Sequence, residues 1–293
     1  MNLDGIPEII TNEQSGHMNV SHSVMILEWE GHQFESIIQG ESYAEGKHFN
    51  VAFMDGVTEV SIRDIDDNKT LELILNSNGL FEGTYAYISG APWRKETHIY
   101  SWNGELFVLY RVEFSPPDYR FQAVQDGDRA SLVGDYDLAL GFYQEAILSD
   151  ELDWWSNDRW DYEIRSKLAH TTPVPTPILD FREYPNLAAY ASYRILLLHV
   201  VQGSLHEAEI VFNMLKEKFM LGQPGFTYVE LATSFWNEFQ TSSNIGQACA
   251  KAIEYASMHP FELLSYLGNG EYARTYYGDQ SLEYQPEDIC PLR

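Results

Sequence analysis

Hydrophobic and polar positions change period once along this chain. Up to about residue 115 they keep the twofold alternation of β-strands. Val57, Glu59 and Ser61 alternate with Thr58, Val60 and Ile62, the pattern of a half-buried strand. A polar stretch, Asp64–Glu72, comes next and runs into the apolar Leu73-Ile74-Leu75. Ile26–Phe34 and Ile99–Phe107 each read as strand, tight turn, strand, with Trp29-Glu30-Gly31 and Trp102-Asn103-Gly104 at the bends. The Asn-Gly pair predicts a type I′ hairpin, which needs positive φ at both central residues. The β pattern stops near Phe114-Ser115-Pro116-Pro117, because consecutive prolines cannot donate to a ladder.

The β half reads as two copies of one unit, residues 1–53 and 54–115. Aligning Asp4 with Asn68 sets Glu8 on Glu72 and Asn2 on Asp66, while Gly5 stands where the later copy has Lys69. The position matching Asp64 would lie before Met1, so the natural protein is expected to continue upstream. Each copy runs loop, apolar strand, polar connection, hairpin. Trp29 and Trp102 are expected to fill the core between the copies.

Oxygen-bearing side chains occupy positions 1, 3, 5 and 9 of Asp64–Glu72. Such a loop can fold carboxylate and amide oxygens round one hard cation, and Ca²⁺ accepts six to eight of them in flexible geometry. The competing reading is an ordinary solvated Asp-rich turn. The spacing resembles the calcium loop of FG-GAP/VCBS repeats, the blades of integrin-α-type β-propellers; Gly90-Ala91-Pro92 also occurs. In that family side chains at 1, 3, 5 and 9 and a main-chain carbonyl at 7 bind the ion. The resemblance therefore implies Asp64, Asp66, Asn68 and Glu72 with the carbonyl of Thr70, and a weaker second site of Asn2, Asp4 and Glu8. Two blades do not close a propeller. Asn68-Lys69-Thr70 and Asn19-Val20-Ser21 also fit the glycosylation pattern, and a glycan on Asn68 would exclude it as a ligand.

From residue 118 the period is helical. In Gly134–Ile147, Ala139, Tyr143 and Ala146 fall at spacings of 4 and 3, behind a helix over 119–132 that carries Gly127. Small residues let two antiparallel helices approach while an aromatic fills the gap to the next pair. This resembles the tetratricopeptide (TPR) repeat. The plan returns in an apolar helix over 188–202, ended by Gly203 and followed by Leu205, Ala208 and Phe212. It returns again over 228–239 and 244–257, with Ala248, Ala252 and the terminating Pro260. The gap between Ala139 and Ala208 exceeds a TPR unit of about 34 residues, so it holds an insertion, 153–185. That insertion contains Trp154, Trp155 and Trp160, read as packing residues more than as a groove lining, and the alternating prolines Pro173, Pro175 and Pro177. The expected architecture is α+β in two domains: antiparallel β over 1–115, all-α hairpins over 118–268, and an irregular tail, 269–293.

Charge narrows the function. Lys and Arg number 18 against 44 Asp and Glu, a formal net charge of −26. Nucleic acid is excluded as a partner, since its binders need a basic footprint. No apolar run has the length of a transmembrane helix, and residues 1–25 show no signal peptide. Cys249 and Cys290 read equally as a bridge or as two buried thiols. There is no G-x-S-x-G, H-E-x-x-H, P-loop or dinucleotide fingerprint. His17, His22, His32 and His48 read as solvated loop residues. The expectation is a non-enzymatic, calcium-stabilised module that binds a protein or peptide on its helical domain. It is expected outside the cell, at the cell surface or in the periplasm, because extracellular calcium modules bind at about 10⁻⁴–10⁻³ M. The alternative is a glycosidase-like hydrolase with an acidic site between the domains.

Overall fold

The computed structural model describes residues 1–15, 21–40, 42–44, 47–55, 57–77, 94–156, 159, 162, 175–267 and 284–291. The signature Gly90-Ala91-Pro92, His17, Asn19, Trp160 and Pro173 lie outside them. The described residues fall into two compact units, β up to Pro116 and helical from Pro117.

In the β unit the alternation becomes two sheets. The first holds β1 (Ile9–Ser15), β2 (Ser21–Trp29) and β3 (Phe34–Ser36), with β7 (Ala52–Asp55) also pairing β2. The second has the order β4 (Ile38–Gln39), β11 (Phe107–Phe114), β10 (Glu96–Trp102), β9 (Glu72–Ser77), β8 (Val57–Arg63). A two-stranded ribbon pairs β5 (Ser42–Ala44) with β6 (Lys47–His48). Every pairing is antiparallel except β11 with β4. Val24 and Ile26, Ala52 and Met54, and Leu73 and Leu75 sit two apart on their strands and point to one face. They pack with Ile37, Ile38, Tyr100 and Phe107 as a single core drawn from both sheets.

The two hairpins share a local plan. Trp29 stands opposite Phe34 and Trp102 opposite Phe107, with ring centroids 5.1 and 5.2 Å apart. Glu30 N–H donates to the Gln33 carbonyl at 2.9 Å, as Asn103 N–H does to Leu106 at 3.1 Å. Gly31 and Gly104 take positive φ, but Asn103 does not, so the second turn is not type I′. The Asn103 side chain instead accepts the N–H groups of Glu105 and Leu106, both at 2.9 Å. Trp29 departs from expectation. It is 44% exposed beside exposed Phe34, whereas Trp102 is half-buried on a fully buried Phe107. The strand after the first hairpin leaves its sheet at Ile37 to join β11 as β4, and among the described residues the first Trp–Phe pair stays exposed while the second packs with the core.

Among the described residues the helical unit holds three hairpins: α1 (Arg120–Leu132) with α2 (Tyr136–Leu148), α3 (Glu183–Val201) with α4 (Leu205–Lys218), and α5 (Phe226–Ser242) with α6 (Ile245–Met258). Asp135 and Asn244 cap α2 and α6 by accepting the N–H of Leu138 and Gln247 at 3.2 and 3.0 Å. Gly127 lies against the Tyr143 ring so closely that an added Cβ would come within 2.5 Å of it. Arg120 caps the other end of α2, donating to the carbonyls of Ala146, Ser149 and Leu152. Two boundaries move. α3 begins at Glu183, inside the expected insertion, because Pro185 stands in the first helical turn, where an N–H has no partner to lose. Pro260 does not close the last hairpin; it opens a short helix, α7 (Pro260–Leu264), followed by a 3-10 turn, Ser265–Leu267. Trp155 is 1% exposed and packs edge-on to Tyr119, which makes it a packing residue.

One buried charge pair at the centre of this unit was not foreseen. Asp128 accepts hydrogen bonds from the hydroxyls of Tyr143 (2.5 Å), Tyr190 (3.0 Å) and Tyr284 (2.5 Å), and pairs with Arg194 Nε at 3.3 Å. Burial, reinforced by the Asp128 charge, holds all three tyrosines well above the usual phenol range. Cys249 and Cys290 are joined in a disulfide. Among the described residues no helix is long and apolar enough to cross a membrane.

Candidate functional site

The connection Asp64–Leu71 between β8 and β9 is shaped by its own short polar side chains. Asp64 Oδ1 accepts from Asn68 N–H at 3.2 Å and its Oδ2 from Lys69 N–H at 2.8 Å. Asp66 Oδ1 accepts from Asn68 N–H at 3.1 Å, and Asn68 Oδ1 from Thr70 N–H at 2.6 Å. Asp and Asn favour such bonds to main chain two residues on. Asp67 and Lys69 take the left-handed conformation, φ 61° and 75°. Asp tolerates it; for lysine it costs about 1–2 kcal/mol.

This bend brings carboxylate oxygens of Asp64, Asp66 and Glu72 within 4.8 Å of one another, a set that can hold a metal ion. Among the described residues it is the one group of three or more acids, histidines or cysteines so gathered. Asp64 is half-buried and Asp66 exposed. Glu72, first residue of β9, is 1% exposed and accepts Ile65 N–H at 3.0 Å. Two like charges at that distance repel by about 1 kcal/mol in water, and several-fold more near a protein surface. Among the described residues no lysine or arginine forms an ion pair with any of the three. The other two expected ligands are placed differently. Asn68 turns its amide Nδ2 to Asp66 Oδ2 at 2.9 Å, so its oxygen serves Thr70 and not the cluster. Thr70 is half-buried at the end of the loop.

Residues 1–8 repeat the frame. Leu3 and Gly5 are left-handed where Asp67 and Lys69 are. Asp4 N–H donates to Asn2 Oδ1 at 3.2 Å and Ile6 N–H to Asp4 Oδ1 at 2.7 Å, bond for bond as in the second loop. Asn2 N–H reaches Glu8 Oε1 at 2.8 Å. The two loops also touch, since Leu71 N–H donates to the Met1 carbonyl at 3.3 Å. The side chains differ. Asn2 Nδ2 sits between Asp4 Oδ2 (3.2 Å) and Glu28 Oε2 (2.7 Å), an amide cross-link at the position where the second loop has the carboxylate of Asp66. Burial raises Glu28, and the Asp4 and Glu8 charges add to the effect. Asn2, Asp4 and Glu8 thus share the bend but are not gathered as a triad of acids.

Among the described residues, His22, His32 and His48 are not gathered as a cluster. His22 is buried on β2 with Nδ1 2.8 Å from Asn12 Oδ1, not solvated, whereas His32 and His48 are exposed. Compared with known protein families, curated proteins and solved structures, the chain matches none.

Proposed function

We propose that the chain is a non-enzymatic binding or scaffold module whose β unit is braced by Ca²⁺ and whose helical unit holds a protein or peptide. The observation that carries this reading is the triad Asp64, Asp66 and Glu72, three carboxylates that form no ion pair with a lysine or arginine among the described residues. The donors are all oxygen, which suits a hard cation and not a thiolate or imidazole metal. Main-chain hydrogen bonds to Asp64 and Asp66 shape the bend round the triad, so the reorganisation on binding falls on Asn68. Asn68 joins as a ligand by turning its amide and releasing Thr70 N–H; the Thr70 carbonyl and water complete the shell. The strand–loop–meander plan, repeated in two copies, is what the FG-GAP/VCBS resemblance implies, and the Gly127–Tyr143 contact is what a TPR-like hairpin implies. Weak extracellular calcium affinity and the Cys249–Cys290 bridge both suit an exported protein.

Thermal melts of the full chain in millimolar Ca²⁺ and in chelator test the reading. Calcium is expected to raise the melting temperature. Asp66→Asn and Glu72→Gln should each abolish the rise, while Asp67→Asn keeps most of it. Equal losses in all three would assign the effect to bulk charge, and no rise in the parent chain would sink the reading.

A further inference from the structure

The face shared by α1 and α3 is covered by the chain's own C-terminal segments. Leu267, in the turn after α7, takes a hydrogen bond on its carbonyl from Gln125 Nε2 of α1 at 3.1 Å. Further on, Tyr284 gives its hydroxyl to Asp128 of α1, and the Asp288 carbonyl accepts from Arg194 Nη1 of α3 at 2.9 Å. Ile289 is fully buried, and Cys290 is bonded to Cys249 of α6. Gln125, Asp128 and Arg194 are each at most 3% exposed; each makes one hydrogen bond with this covering, while Asp128 and Arg194 also bond to one another and to Tyr190 within the unit. What they recognise is two main-chain carbonyls and one tyrosine hydroxyl. Within Tyr284–Pro291, Pro286–Ile289 form a 3-10 turn packed on α6, and the segment is tied down by the Asp288 carbonyl, the Tyr284 hydroxyl and the disulfide.

We propose that Tyr284–Pro291 is an internal peptide ligand of the α1/α3 face, latched there when Cys249 and Cys290 are oxidised. The inference rests on the reading of the helical unit as a peptide-binding face, and it names the occupant. In the dithiol form the segment exchanges on and off. Closure forms the S–S bond as the two thiols give two electrons and two protons to an incoming small-molecule disulfide, which leaves as two thiols. Once closed, Cys249 and Cys290 are 3% and 1% exposed, so reductant reaches the bond when the segment lifts. Before closure the face is open to another peptide with a tyrosine and free main-chain carbonyls.

Two readouts on the full chain separate the latch from the face. Hydrogen exchange compares the oxidised parent with Cys290→Ser, and with the parent reduced by a phosphine as a second route to the open form. Amides of 284–291 should exchange at least about tenfold faster in the open forms, while those of α3, α5 and α6 keep their rates. Unchanged rates at 284–291 would overturn the latch, and acceleration throughout the helical unit would make the segment plain core. Capture then tests the face. A synthetic peptide of residues 284–291, keeping its cysteine, is offered to Cys290→Ser chain in an oxidised/reduced glutathione buffer. Mixed disulfide with Cys249 should exceed that of a scrambled peptide at least about tenfold, and of a Tyr284→Phe peptide several-fold. Equal yields would overturn the face as a peptide site, whatever the exchange result.

Discussion

Two groups of carboxylates in this protein are treated in opposite ways. Asp128, in the helical unit, is 3% exposed and fully answered from within, by three tyrosine hydroxyls and the Arg194 guanidinium. Asp64, Asp66 and Glu72, in the β unit, are gathered as closely but answered only by main-chain N–H groups and one amide. A buried carboxylate with its own cation belongs to the packing of the unit. Three carboxylates held together without one leave their mutual repulsion to solvent and dissolved ions. Clustering of acids alone does not distinguish these cases; the source of the countercharge does.

The sharpest way to break the comparison is to make Asp128 resemble the triad's situation in reverse. Asp128→Leu strands Arg194 as a buried charge and should cost about 3–5 kcal/mol in urea unfolding of the helical unit. Arg194→Leu should cost less, because three hydroxyls still serve Asp128. Equal losses would mean that packing volume, not charge, governs the site. Alkali probes the same network. Tyr143, Tyr190 and Tyr284 are held above their ordinary value by burial and by the Asp128 charge. Their neutral form is the folded one, so their contribution is intact below the unfolded value of about 10. It falls as pH rises above that. Melting followed by far-ultraviolet circular dichroism should show helix lost at lower temperature as pH rises past about 10, with the β signal less affected.

Smaller effects sharpen the picture. Gly127→Ala drives a methyl into a Tyr143 ring that its bond to Asp128 holds in place, so the cost should be about 1–3 kcal/mol. A neutral result would show that the ring can swing aside. Lys69→Gly, at φ 75°, relieves a left-handed lysine and should stabilise the β unit in chelator by about 1 kcal/mol. Gly5, at the equivalent place, marks what that position prefers. No gain on Lys69→Gly would mean that the strain is already relaxed.

Much of the β half was legible because its signals are local. The two bends are written in Asn and Asp side chains that bond two residues on, and the hairpins in Trp, turn and Phe. The fate of Trp29 was not legible: alternation says which residues share a face, not whether anything covers it. The signal that could have warned of this is the Ile37-Ile38 doublet, which breaks alternation where β4 leaves for the other sheet. In the helical half, Gly127 and Tyr143 declared themselves by size. Asp128 did not, because its partners Tyr190, Arg194 and Tyr284 lie 62 or more residues away in sequence. The expected insertion ran through Pro185, whereas this proline stands in the first turn of α3, where it is tolerated. The bridge between Cys249 and Cys290 also depends on a fold-back of the tail that no local pattern encodes.

The most direct test of the central claim is the calorimetric titration of the chelator-stripped full chain with Ca²⁺. The account predicts one ion per chain, with an affinity of about 10⁻⁴–10⁻³ M, and loss of the binding heat in Glu72→Gln. Binding that survives Glu72→Gln unchanged, or no binding heat at all, would contradict it.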